Sequence, residues 1–204
     1  MQANLKRTAP AIALTLAILL GVALGLGRDV AYAADGDLDF MITTDFAGGL
    51  DEARAVAVQP DGKVVAVGST QLGGPDTSDF ALARYNSDSS LDTAFGNGGR
   101  VTTDFFGGDD VAHDVAVQPD GKIVAAGAAH WPGSNSSEFA VARYNPDGSP
   151  DVTFGNSGRV TLTIQGSIQN AAYSIALQPD GRIVLAGHTL SGFGDPRFGL
   201  ARLN

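Results

Sequence analysis

Gln59-Pro60-Asp61-Gly62-Lys63-Val64-Val65-Ala66-Val67-Gly68 recurs 59 residues later at 118–127 (QPDGKIVAAG) and 60 residues after that at 178–187 (QPDGRIVLAG). Proline presets φ at the first corner of a turn and glycine accepts positive φ at the last. Pro60-Asp61-Gly62 therefore reads as a tight hairpin turn between two strands. The flanking stretches, Ala55-Val56-Ala57-Val58 and Val64-Val65-Ala66-Val67, are apolar on both faces. Strands of that kind must be covered on both sides.

Two further signatures travel with the first. Residues 79–86 (DFALARYN) return at 138–145 (EFAVARYN) and 197–204 (RFGLARLN), and 95–102 (FGNGGRVT) return at 154–161 (FGNSGRVT). The first copy lacks the FGxxGR turn, since Asp37-Leu38-Asp39-Phe40 runs almost directly into Ile42-Thr43-Thr44-Asp45-Phe46, which matches 101–105. These periods divide the chain into units at 35–90, 91–149 and 150–204.

Each unit reads as four short strands: the VTTDF segment, then (in the first copy) 53–59, 63–68 and 80–86. On the last of these, Phe80 and Leu82 share one face while Ala81 and Ala83 share the other, so one side is bulky and the other small. No segment after residue 34 shows a sustained helical period. The expected class is all-β: three four-stranded antiparallel blades stacked face to face in a β-propeller-like array. A β-trefoil is the alternative, but its barrel strands would need a polar face that Val64-Val65-Ala66-Val67 lacks. Three blades do not close a ring, as propellers have about four to eight. That leaves self-association of two chains into a six-bladed ring, or a fragment of a longer array.

The QPDGK[IV]V-x-x-G core, the [DE]FA-x-ARYN segment and the LD-x-x-FG-x-x-GR-V-T stretch, at a period near 60, resemble the delta-60 repeat of bacterial, often secreted, proteins. The resemblance covers most of residues 37–204. It implies a propeller-like fold and supplies no catalytic residues. The chain departs from that pattern in having three copies with the first shortened.

Before the repeats, Lys6 and Arg7 precede an uncharged apolar stretch from Thr8 to Gly27, followed by Ala31-Tyr32-Ala33. A basic end, an apolar middle and an A-x-A triplet mark a secretory signal peptide over 1–33, a helix ahead of the 34–204 domain. A retained membrane anchor is the other reading; the apolar run is at the short limit for a span. Cleavage would leave a protein secreted to the periplasm or the medium, with no membrane contact thereafter. The whole chain carries −9, and loss of Lys6, Arg7, Arg28 and Asp29 makes the remainder more acidic still. Such a surface argues against nucleic acid as a partner. The absence of cysteine removes thiol nucleophiles and thiolate metal sites.

Residues repeated in every copy read first as blade architecture. Arg84, Arg143 and Arg202 are either braces to carboxylates or a ring gripping anionic groups. Asn86-x-Asp88-x-Ser90-x-Asp92 and Asn145-x-Asp147-x-Ser149-x-Asp151 place oxygens on alternate residues. That spacing suits Ca2+ and equally suits Asx turns. Asp109-Asp110, in a glycine-rich loop, reads as a solvated pair. Loops whose content changes while their frame persists are where binding is expected. They hold His130, Trp131 and Phe193, aromatics able to stack on a sugar or anchor a protein partner, or simply to cap a blade.

Catalysis has little support. His113, His130 and His188 occupy three different repeat positions. No G-x-S-x-G elbow, metal-spaced histidine pair or phosphate loop opening a helix occurs. The expectation is an exported, non-enzymatic binding or interaction module at the cell envelope or outside the cell. A propeller hydrolase or lyase acting on extracellular glycans, or a purely structural set of blades, are the rival readings.

Overall fold

The computed structural model describes residues 40–72, 77–192 and 194–204. The leader read over 1–33 and the candidate Phe193 lie outside the described residues. Among those described, no helix is long and apolar enough to cross a membrane. Residues 42–204 form one unit, which holds every strand among the described residues.

Each PDG hairpin forms as its residues dictate. At the second, Gly121 adopts φ 84° and its N–H donates to the Gln118 carbonyl at 2.9 Å. The Gln118 N–H donates to the Lys122 carbonyl at 2.8 Å. Asp120 closes its own turn by accepting from the Lys122 N–H at 3.2 Å. The three hairpins are β1 (Asp51–Val58) with β2 (Val64–Gln71), β5 (Asp110–Val117) with β6 (Ile123–His130), and β9 (Ser167–Leu177) with β10 (Ile183–Ser191). The [DE]FA-x-ARYN strands β3 (Ser78–Tyr85), β7 (Ser137–Tyr144) and β11 (Pro196–Leu203) pair antiparallel with β2, β6 and β10.

The first strand of each hairpin carries a β-bulge. Its extra residue, read from the register shifts, is Arg54, His113 or Tyr173. Opposite each bulge stands the last glycine of the repeated core: Gly68 pairs with Ala53, Gly127 with Ala112 and Gly187 with Ala172. A bulge bends the strand and drives it against its neighbour, and glycine is what admits the approach.

The VTT segments fall elsewhere than the sequence periods suggest. β4 (Arg100–Thr103) pairs with β3, with Leu82 opposite Val101, and β8 (Arg159–Leu162) pairs with β7, with Val141 opposite Val160. Each VTT strand thus completes the sheet of the preceding copy instead of opening its own. The result is two four-stranded sheets, β1-β2-β3-β4 and β5-β6-β7-β8, and a three-stranded sheet, β9-β10-β11. Three separate sheets exclude the trefoil barrel.

The sheets stack broadside through a bulky face on a small one. Phe80 and Leu82 of the first sheet pack with Ala125, Ala140 and Ala142 of the second. Phe139 and Val141 of the second pack with Ala172 of the third and with Ala201 at its edge. Each of these large side chains, fully buried, contributes roughly 1.5–3 kcal/mol. The middle sheet is covered on both faces, as its doubly apolar strands require. The outer faces are not: Val56 and Val58 are 64% and 70% exposed, and Phe198 and Leu200 are 83% and 63% exposed.

Candidate functional site

The repeated acidic stretches are built as turns and braces. Asp88 accepts from the Ser90 N–H at 3.0 Å and its hydroxyl at 2.5 Å. Asp147 treats Ser149 the same way, at 2.9 and 2.6 Å. Those serine bonds hold both carboxyls below the usual carboxylate range. Asn86 and Asn145 each donate to the serine hydroxyl at 3.0 Å.

Asp92 and Asp151 turn inward instead. Asp92 Oδ2 meets Lys63 Nζ at 2.7 Å and Arg84 Nε at 2.8 Å, and Asp151 Oδ2 meets Arg143 Nε at 2.8 Å and Lys122 Nζ at 3.2 Å. The other oxygen of each is taken by N–H groups two residues on, from Ala94 and Thr153. The Lys63 bond chiefly lowers the Asp92 pKa, and the Thr153 hydroxyl bond chiefly lowers that of Asp151. The guanidinium groups of Arg84 and Arg143 also lie 4.4 Å from the ring centres of Phe95 and Phe154. A calcium ion at Asn86, Asp88 and Asp92, or at Asn145, Asp147 and Asp151, would have to displace these partners. Arg84 and Arg143 are braces to these carboxylates, and Arg84 also donates through Nη1 to the Pro146 carbonyl of the next blade.

A second acidic group was not legible as such. Carboxylate oxygens of Asp79, Asp104 and Asp110 lie within 4.8 Å of one another. Asp110, expected to be solvated, is fully buried. It accepts from the Phe105 N–H at 2.7 Å through Oδ2, while Oδ1 has no hydrogen-bond partner. Its neighbour Asp109 accepts from the Ser78 N–H at 3.0 Å. Burial first, then like charge, pushes Asp110 up to about 7 and Asp79 up to about 6. At the next sheet junction the equivalent positions are Glu138, Thr163 and Asn170, where Thr163 donates to Glu138 at 2.8 Å and no charges collide.

This cluster predicts a pH dependence. A carboxyl whose folded pKa is raised favours folding at low pH and loses that advantage as pH rises through the folded value. The cluster's contribution should therefore decline between about pH 4 and pH 7, whereas Asp92 and Asp151 lose theirs only as pH falls below the ordinary carboxylate range. Asp110→Asn, the residue blade three already uses, should raise stability at pH 8 by about 2–4 kcal/mol. The gain should vanish near pH 4. Chemical denaturation across that range checks it; an equal effect at both pH values would show that charge is not the cause.

The variable loops supply a partly exposed aromatic surface. The β6–β7 loop turns at Trp131, whose carbonyl accepts from the Ser134 N–H at 3.2 Å. The indole is 44% exposed and stacks on Phe106, centroids 3.9 Å apart and planes 11° from parallel. Phe106 belongs to the loop leaving β4, so two connections build one aromatic platform. His130 is anchored beneath it, with Nδ1 2.6 Å from the Asp109 carbonyl oxygen. A cavity of about 370 Å3 opens beside Trp131, lined also by Asp109, Asn135 and Gln169. Trp131 and His130 stand out in the sequence as candidates; Phe106 does not, because stacking across two loops leaves no local pattern.

A ring cluster was also missed. His113 lies 4.9 Å and His188 5.3 Å from the Tyr173 ring, although the two histidines stand at unrelated repeat positions. The bulges are the reason, since they present His113 and Tyr173 side by side on neighbouring first strands. Burial, and then Arg54, lowers the His113 pKa.

Three broadside sheets built from one repeated hairpin have a counterpart among known families. Residues 59–95, 118–154 and 178–204 match the model described as Domain of unknown function (DUF5122) beta-propeller. The chain is a β-propeller repeat protein. The matched segments begin at the PDG hairpin and, in the first two copies, end at the Phe95 and Phe154 turns. They thus fall within the blades defined by strand pairing. No curated protein matches the chain. The propeller repeat accounts for the braces and hairpins; it assigns no role to the Trp131 platform or the His113–Tyr173–His188 rings.

Proposed function

We propose that this β-propeller repeat protein is an exported, non-enzymatic binding module that engages its ligand through the loop face around Trp131. The observation that carries this is the Trp131–Phe106 platform. A large indole is kept half exposed, its orientation set by a parallel ring, beside a cavity with the polar groups of Asp109, Asn135 and Gln169 at its margin. Flat aromatic surface rimmed by amide and carboxylate groups suits the apolar face of a sugar ring, with the polar rim reading hydroxyls. The acidic chain favours neutral or cationic ligands over anionic ones.

Nδ1 of His130 lies 2.6 Å from the Asp109 carbonyl oxygen, which fixes the ring and leaves Nε2 as its free nitrogen. Binding therefore rests on the aromatic platform, and His130 is tested directly. A panel of neutral oligosaccharides, titrated calorimetrically, is the test. Trp131→Ala should weaken the best binder by at least about tenfold, as truncation of a central aromatic contact does, with the melting point little changed. Turnover of the bound sugar that disappears in His130→Ala would overturn the non-enzymatic reading, and binding unaffected by Trp131→Ala would overturn the site.

A further inference from the structure

We infer that two copies of this chain close one ring, with Ile42–Thr44 of each supplying the fourth strand of the other's third blade. The inference stands apart from the Trp131 reading, which a single copy could carry. Within the described residues, β11 has no strand on its outer edge. In the other two blades that edge is filled by Val101-Thr102-Thr103 or Val160-Thr161-Leu162. The corresponding Ile42-Thr43-Thr44 has the sequence of such a strand yet pairs with none.

That segment already sits where the missing strand would lie. In the paired case, Thr103 reaches from the first sheet to the second, its Oγ1 2.7 Å from Tyr144 Oη. Thr44 Oγ1 stands 2.8 Å from Tyr85 Oη. It thus holds the same place against the first blade that Thr103 holds against the second. The loops match as well: Asp45 accepts from the Gly48 N–H and Asp51 from the Phe46 N–H, just as Asp104 accepts from Gly107 and Asp110 from Phe105. The first blade is thus prepared for a predecessor.

The exposed faces complement each other. Every internal junction sets a bulky face on a small one, and the outermost faces are the bulky face of blade three (Phe198, Leu200) and the small face of blade one (Val56, Val58). Phe198 and Leu200 correspond to Phe80 and Leu82, which are fully buried at the first junction. By the registers above, Leu200 would pair with Ile42 of the second copy and Phe198 with its Thr44.

Charge selects the same pairing. The position that is Asp79 at the first junction and Glu138 at the second is Arg197 on β11. In a closed ring Arg197 would face Asp45 and Asp51 of the second copy, the equivalents of Asp104 and Asp110. The first junction sets three carboxylates together; this one would set an arginine between two. Two copies of the three described blades give six, within the usual four to eight, and a head-to-tail contact that closes is a ring.

The test uses the chain at tens of micromolar. Light scattering should give twice the mass of one chain. Arg197→Asp, an exposed position, should raise the dimer dissociation constant about tenfold or more by placing like charges at the junction. Since the chain has no cysteine, Ile42→Cys with Leu200→Cys should oxidise to a dimer whose cross-link maps between these two positions. Thr43→Cys with Leu200→Cys, one residue out of register, should not. A monodisperse monomer, open-ended oligomers, or a dimer indifferent to Arg197→Asp and to cysteine register would each overturn the inference.

Discussion

Gly127→Ala should unfold this protein more effectively than any surface change in the blades. A Cβ at that position would lie 1.8 Å from the Val111 carbonyl oxygen, 2.8 Å from its carbon and 2.9 Å from the Ala112 Cα. All three are backbone atoms of β5 at its bulge, so no rotamer change relieves the overlap. Ordinary overpacking costs about 1–3 kcal/mol; moving a central strand off its neighbour should exceed about 4 kcal/mol. For a domain of this size that lowers the melting point by on the order of 10–15 °C. Gly192→Ala, which meets nothing within 4 Å, should stay within about 0.5 kcal/mol of the parent. Equal melting points for the two variants would mean that the bulge can relax, and that the repeated glycine serves some other purpose. A Cβ added at Gly68 or Gly187 would lie 1.8 or 1.9 Å from the Glu52 or Ala171 carbonyl oxygen, so the same outcome is expected in each blade.

Asp151→Ala is expected to be nearly as damaging, by about 3–5 kcal/mol. The substitution strands Arg143 and Lys122 beside a buried site and leaves the Thr153 N–H without its acceptor. Much of the loss is the cost of an unpaired cation. Arg143→Met combined with Asp151→Leu should therefore recover a substantial part of it. Asp147→Ala, which removes only exposed turn bonds from Ser149, should cost about 1 kcal/mol. Denaturant midpoints for these variants check the ordering. If Asp147→Ala proved the more harmful of the two aspartate changes, the division between inward brace and outward turn would be wrong.

Repetition within the chain made much of this readable. The PDG hairpins, the doubly apolar strands and the bulky-against-small alternation of Phe80-Ala81-Leu82-Ala83 are short-range features, and each formed as its residues imply. The partner of the VTT strand was not readable. Its alternation suits either neighbouring sheet, and the choice lies in the preceding turn. The Asp92 N–H donates to the Arg84 carbonyl and the Arg84 N–H donates to the Gly99 carbonyl, at 2.8 and 3.0 Å, folding residues 86–99 back so that β4 meets β3. The burial of Asp110 was equally hidden, since it depends on Asp79 and Asp104 arriving from another blade.

From its own order of residues the chain determined that it would be all-β, where its hairpins turn and which strands need cover on both sides, because turn chemistry and side-chain alternation act over a few neighbours. Tertiary structure alone decided which sheet each VTT strand joins, which acids are pressed together and which aromatics share a surface. Those outcomes arise where blades meet, from groups about 25 to 60 residues apart whose proximity no local pattern encodes.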